Sequence, residues 1–135
     1  MSAAEIVAEL SSRINIVEEA YEFMLAYASQ GLASDQGSDT GRQAREYLKR
    51  CDTALTNLGE FLNGFTDRLG VEPAAPYRAF IAVIDRDARD AQAAVQLVLA
   101  QPAISSQLVD NLNASIHLRA LLTDLFLIDE VFKHR

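Results

Sequence analysis

The chain has 135 residues, half of them apolar and 23% charged, with a formal net charge of −7. This composition fits one globular domain, 1–135, long enough to bury a core without metal or disulfide. The negative balance argues against nucleic acid as the main partner, and no window reaches the ~18 uninterrupted apolar residues of a membrane span.

One cysteine, Cys51, leaves no partner for an intrachain disulfide and no CxxC motif, which fits reducing, cytoplasmic surroundings. The opening MSAAEIVAELSSR lacks a basic segment followed by an apolar run, so no secretory signal is expected.

The first helix is expected over about 3–30. Ala3, Val7, Leu10, Ile14, Val17, Tyr21, Met24 and Ala28 recur in alternating steps of four and three. Such steps return side chains to one stripe of an α-helix, and no strand can use them. Ser2 with Glu5 forms a capping-box pair at the start, and Gly31 stands where the helix should stop. The second half adds Ile16, Ala20, Phe23 and Tyr27 beside the stripe. The apolar arc there spans roughly 200°, about twice what one core-facing surface requires.

The same helix carries the densest acidic group, Glu18, Glu19 and Glu22 in EEAYE. Spacings of three and four bring these carboxylates to one side, as a divalent cation would need. The stretch resembles the first half of the EExxE…ExxD signature of the all-α MazG-type nucleotide pyrophosphatases. That resemblance covers five residues and implies Mg²⁺ held by such carboxylates. No ExxD follows to complete it, so a solvated acidic face is expected.

GLASDQGSD is the one long loop. The second helix is expected over about 40–69, with Thr40 and Gln43 as a capping box and Gly70 as its stop. Its stripe runs Ala44, Leu48, Cys51, Leu55, Leu58, Leu62, Phe65 and Leu69, which makes Cys51 a buried, inert thiol. Gly59 and Gly64 each cost about 1 kcal/mol relative to alanine, so close packing or a bend is expected there.

Pro73 and Pro76 open a third helix over about 74–100, and Pro102 closes it off from the next. Tyr77, Ile81, Ile84, Ala88, Ala91, Val95 and Val98 form its stripe, with Ala88 and Ala91 marking a narrow layer. In DRDARD, Asp85–Arg89 and Arg86–Asp90 are ordinary i,i+4 surface pairs.

The fourth helix, about 104–133, contains LRALLTDLFLIDEVF. On a helical wheel Leu118, Leu121, Leu122, Leu125, Ile128 and Phe132 form a core stripe. Ala120, Leu127 and Val131 lie beyond a polar strip, and Phe126 sits on the flank. Asp129 falls among Leu118, Leu122 and Leu125, where burial would demand a partner such as arginine and a helix edge would not. His117 comes level with Glu18 and Glu22 if the first and fourth helices are antiparallel, which makes these three the candidate metal ligands. No ExxH pair is present, and His and Cys are too few for zinc, so a polar boundary histidine is expected instead. His134 suits the negative end of the last helix.

Four helices joined by mostly short loops predict an all-α, up-down-up-down bundle with antiparallel neighbours. No glycine-rich phosphate loop, GxSxG or HExxH is present, so neither catalytic nor cofactor-binding residues are expected. The surplus apolar surface lies on the C-terminal halves of the first and fourth helices. A twofold axis would bring Ile16, Phe23 and Tyr27 of one copy against Phe126, Leu127 and Val131 of another, forming a homodimer. The function expected is that of a non-enzymatic interaction protein: an adaptor, a chaperone-like protein or a regulatory subunit. The alternatives are a small metal-dependent hydrolase of nucleotide-pyrophosphatase type using the first helix's carboxylates, or a bundle holding an apolar ligand beside Gly59, Ala88 and Ala91.

Overall fold

The computed structural model describes residues 1–134, whose regular structure consists of helices alone, six of them. They are α1 (Ala3–Ala28), α2 (Asp39–Leu55), α3 (Leu58–Leu69), α4 (Ala74–Leu99), α5 (Ser106–Ala114) and α6 (His117–Lys133). The expectation of four continuous rods is corrected in two places, because the second and fourth predicted helices are each broken.

The first break falls at Thr56, which is extended, and Asn57, which is left-handed with φ 56°. Asparagine is among the few residues that accept this conformation readily. The carbonyls freed by the break are claimed by α1, since Arg13 Nη1 donates to Thr56 O at 3.0 Å and to Ala54 O at 3.5 Å. The same guanidinium lies 4.6 Å over the Phe61 ring. From the other side Gln92 of α4 donates to Asp52 O and Thr56 Oγ1, both at 3.0 Å. The glycines are not the hinge. Gly59 meets α4 so closely that an added Cβ would fall 2.6 Å from the Asp85 Cβ, and Gly64 faces open space.

The second break is at Ile116, left-handed at φ 63° although β-branched. A β-branched residue here is a steric outlier, and nothing in NASIHL announces it. Ser115 caps α5 through its amide, and α6 starts afresh at His117.

α1 packs against α2 on one side and against α5 and α6 on the other, while α4 contacts α2, α3 and α6. The core runs between α1 and α4, where Val17, Met24, Ile84, Ala91, Leu121 and Leu125 are inaccessible to solvent. Each such leucine or isoleucine contributes on the order of 1.5–3 kcal/mol through burial. Cys51 belongs to this core, and burial pushes its thiol up to about 12. Among the described residues no helix is long and apolar enough to cross a membrane.

The capping box at Ser2 and Glu5 forms as the spacing predicts. At α2 the cap is Ser38, whose hydroxyl accepts from Gly41 N at 3.0 Å, and not Thr40 with Gln43. The reason is the long loop, which is packed instead of free. Asp35 Oδ2 accepts from Arg45 Nε at 2.9 Å, and Oδ1 accepts from Ile104 N at 2.7 Å. Arg45 continues to Leu99 O and Gln101 O, satisfying carbonyls left over at the end of α4. Gly41 must be glycine here because a Cβ would run into the Asp35 backbone.

Candidate functional site

The sector of α6 facing α4 carries an open apolar groove of about 280 Å³. Its walls are Pro76, Tyr77 and Phe80 from the first turns of α4, and Leu127, Ile128 and Val131 from the last turns of α6. Spacings of three and four on each helix put both sets on one stripe, and the two stripes meet because the helices run antiparallel here. Aromatic packing holds Tyr77 in place. Phe132 lies 4.5 Å from Phe65 and stacks on Tyr77 at 5.9 Å between ring centroids. Leu127 is 54% exposed and Val131 41%, values at odds with a surface that meets only water. Phe126, 43% exposed, stands on the opposite flank of α6, across the strip of Thr123 and Glu130.

The matching surplus on α1 has a different fate. Tyr27, expected at an interface, is fully buried within the chain and donates its hydroxyl to Ile104 O at 2.7 Å. Burial, first of all, raises its pKa. Phe23 is half-buried and stacks on Tyr47 of α2 at 4.6 Å, and Ile16 packs against the core. Much of the wide apolar arc of α1 is therefore covered inside one molecule, with Ile16 and Phe23 left partly exposed.

The candidate metal ligands do not assemble. Glu18 is half-buried, Glu22 is exposed on the outer side of α1, and His117 is exposed at the first position of α6. Among the described residues no group of three or more His, Cys, Asp or Glu side chains is placed to hold a metal ion. Asn113, one turn from His117, donates to Met24 O at 3.2 Å instead. The space expected beside Gly59 for an apolar ligand is occupied by Asp85, and Ala88 and Ala91 are buried in close packing.

Asp129 takes the edge position, with Lys133 at 3.2 Å on the same helix. The unusual carboxylate of α6 is Asp124. Its Oδ2 is shielded from solvent with no protein N–H or O–H reaching it. Burial, then the contact with Asp87 and its charge, push Asp124 up to about 7. Sequence reasoning set Tyr77 on the third helix's core stripe and gave no site role to Phe80, Asp87 or Asp124. The clue available was that Asp124 shares a wheel sector with Leu121, Leu127, Ile128 and Val131. No known protein family, curated protein or solved structure matches the chain.

Proposed function

We propose that the protein is a non-enzymatic helical docking module that works by self-association through the α4–α6 face. The observation that carries this reading is the groove of Pro76, Tyr77, Phe80, Ile128 and Val131 with Leu127 projecting at its rim. A twofold contact requires one patch to complement itself, and a groove beside its own ridge can do so.

The charges around the patch support a second copy over a strongly charged partner. In a chain of net charge −7, this rim is mixed, with Arg78 beside Asp67, Lys133 beside Asp129, and His134 beside Glu130. Two copies facing each other across such a rim can pair opposite signs, whereas the acidic body of the chain would repel its twin. A stable contact needs about 800 Å² from each partner, so the apolar patch supplies the centre and this rim the remainder. The single buried thiol fits a reducing, cytoplasmic setting.

Sedimentation velocity on the full chain at micromolar concentration tests the reading, and a dimer is expected. Leu127→Asp should weaken dimerisation at least tenfold, about 1.4 kcal/mol, while circular dichroism remains helical. Leu125→Asp, at a fully buried position, should unfold the chain. A native chain that stays monomeric at every accessible concentration, or a Leu127→Asp chain that still dimerises, would overturn the proposal.

A further inference from the structure

The helix break at Ile116 works against the stability of the fold. A β-branched residue with φ 63° and ψ 0° is sterically strained, whereas glycine or asparagine would sit there at little cost. Burial does not offset the strain, because Ile116 is 58% exposed. Strain kept in this way collects at ligand-binding sites. Ile116 lines a cleft of about 390 Å³ between α1, α5 and the start of α6, a volume within the range of small-molecule sites.

The cleft is polarised. One wall is made by the ends of α1 and α5, and helix C-termini are partly negative. Neither helix has a basic residue in its last turn, and Asp110 of α5 adds a carboxylate. Asn113 donates to Met24 O at 3.2 Å while its Oδ1 meets no donor, which leaves one more unpaired acceptor in this wall. The other wall is the start of α6, which has no side-chain cap and no acidic residue in its first turn. A helix start is partly positive, and Arg119 adds a cation where an anion would be favoured. Among the described residues neither Asp110 nor Arg119 takes part in an ion pair. The same cleft presents the exposed side chains of Leu25 and Ile116.

We infer that this cleft binds a small zwitterion with an aliphatic side chain, of which the apolar α-amino acids are the simplest class. The carboxylate pairs with the Arg119 guanidinium at the head of α6, and the ammonium faces the wall that carries Asp110. The aliphatic group covers Leu25 and Ile116. Such a ligand gives each wall the counter-charge that the chain does not supply.

The cleft lies at the first turn of α6 and the apolar groove at its last turns, so the two sites are separate and this one does not rest on the docking reading. Both charged groups are exposed and the cleft is open, so water screens the contacts and millimolar affinity is expected.

The test is a titration of the full chain with L-leucine, followed by nitrogen-15 NMR. Leucine at up to roughly 10 mM should shift the backbone amides of Ala114, Ile116 and Arg119 in a saturable way. N-acetyl-leucine lacks the ammonium and leucinamide lacks the carboxylate, so each should bind roughly tenfold more weakly. Arg119→Gln should lose as much affinity with an unchanged melting temperature. Ile116→Asn separates binding from stability. Relief of the strain should leave its melting temperature at or above the native value, while its affinity for leucine falls severalfold. Resonances that leucine leaves unmoved, analogues that bind as tightly as leucine, or an Arg119→Gln chain of native affinity would each overturn the proposal. An Ile116→Asn chain that melts well below the native one would assign Ile116 to the fold and overturn its part in the site.

Discussion

The end of the molecule where the 29–38 loop packs and the seam between α4 and α6 each hold an aspartate inside the fold, with opposite results. Asp35 is the more buried, at 8% exposure, yet the Arg45 guanidinium, and then the Ile104 amide, hold its carboxyl below the usual range. Asp124 is the less buried, yet its value moves up, because burial and another carboxylate act in the same direction. A cation outweighs burial at Asp35, whereas at Asp124 burial is itself the largest cause. The apolar surfaces divide in the same way. The surplus on α1 beside the loop is covered by α2, while the surplus on α6 beside the seam faces outward.

The contrast breaks most visibly at Asp35. Asp35→Ala leaves Arg45 without its carboxylate and Ile104 N without an acceptor, and should cost about 3–5 kcal/mol in urea denaturation. The pH signature is also specific. A lowered folded value makes the Asp35 contribution present above pH ~4 and lost as the pH falls below it, so the variant should differ least from the native chain in acid. The seam should show the reverse trend.

A smaller change sharpens the same point. Tyr27→Phe removes one hydroxyl and leaves the buried Ile104 carbonyl without its donor, at a cost of about 1–2 kcal/mol with the helices intact. If the loss is negligible, the loop end is held by apolar packing and not by its polar network. The smallest expected effect is on the seam. Asp87→Lys would give Asp124 an opposite charge in place of a like one, which amounts to under about 1 kcal/mol for a partly exposed pair. Its value as a test lies in direction. By carbon-13 NMR, Asp124 should then titrate lower than in the native chain, and an unchanged value would assign the shift to burial alone.

How far the sequence led differs between these regions for physical reasons. Helix periodicity is local, and it placed α1, α4 and most of the core, including Cys51. The break at Asn57 had a weak local sign in a residue tolerant of left-handed backbone, but Gly59 and Gly64 drew the eye because their cost in a helix is larger. Gly59 turns out to serve a close approach by Asp85. The Ile116 break has no local sign at all. Asp35 looked like loop because its partners, Arg45 and Ile104, come from elsewhere in the chain. Asp129 was singled out in place of Asp124 because one helix's wheel shows which residues share a face, whereas the register of α4 against α6 decides which carboxylate is enclosed.

The polar bonds at the loop end join positions far apart along the chain: 77 residues for Tyr27 to Ile104, 74 for Leu32 to Ser106, and 69 for Asp35 to Ile104. Bringing such distant segments together costs chain entropy that no single bond returns, so these contacts form after the helices and their nearest pairings. Interactions made late are absent from the folding transition state. Damage at Tyr27, Asp35 or Ser106 should therefore appear as faster unfolding, with the refolding rate nearly unchanged.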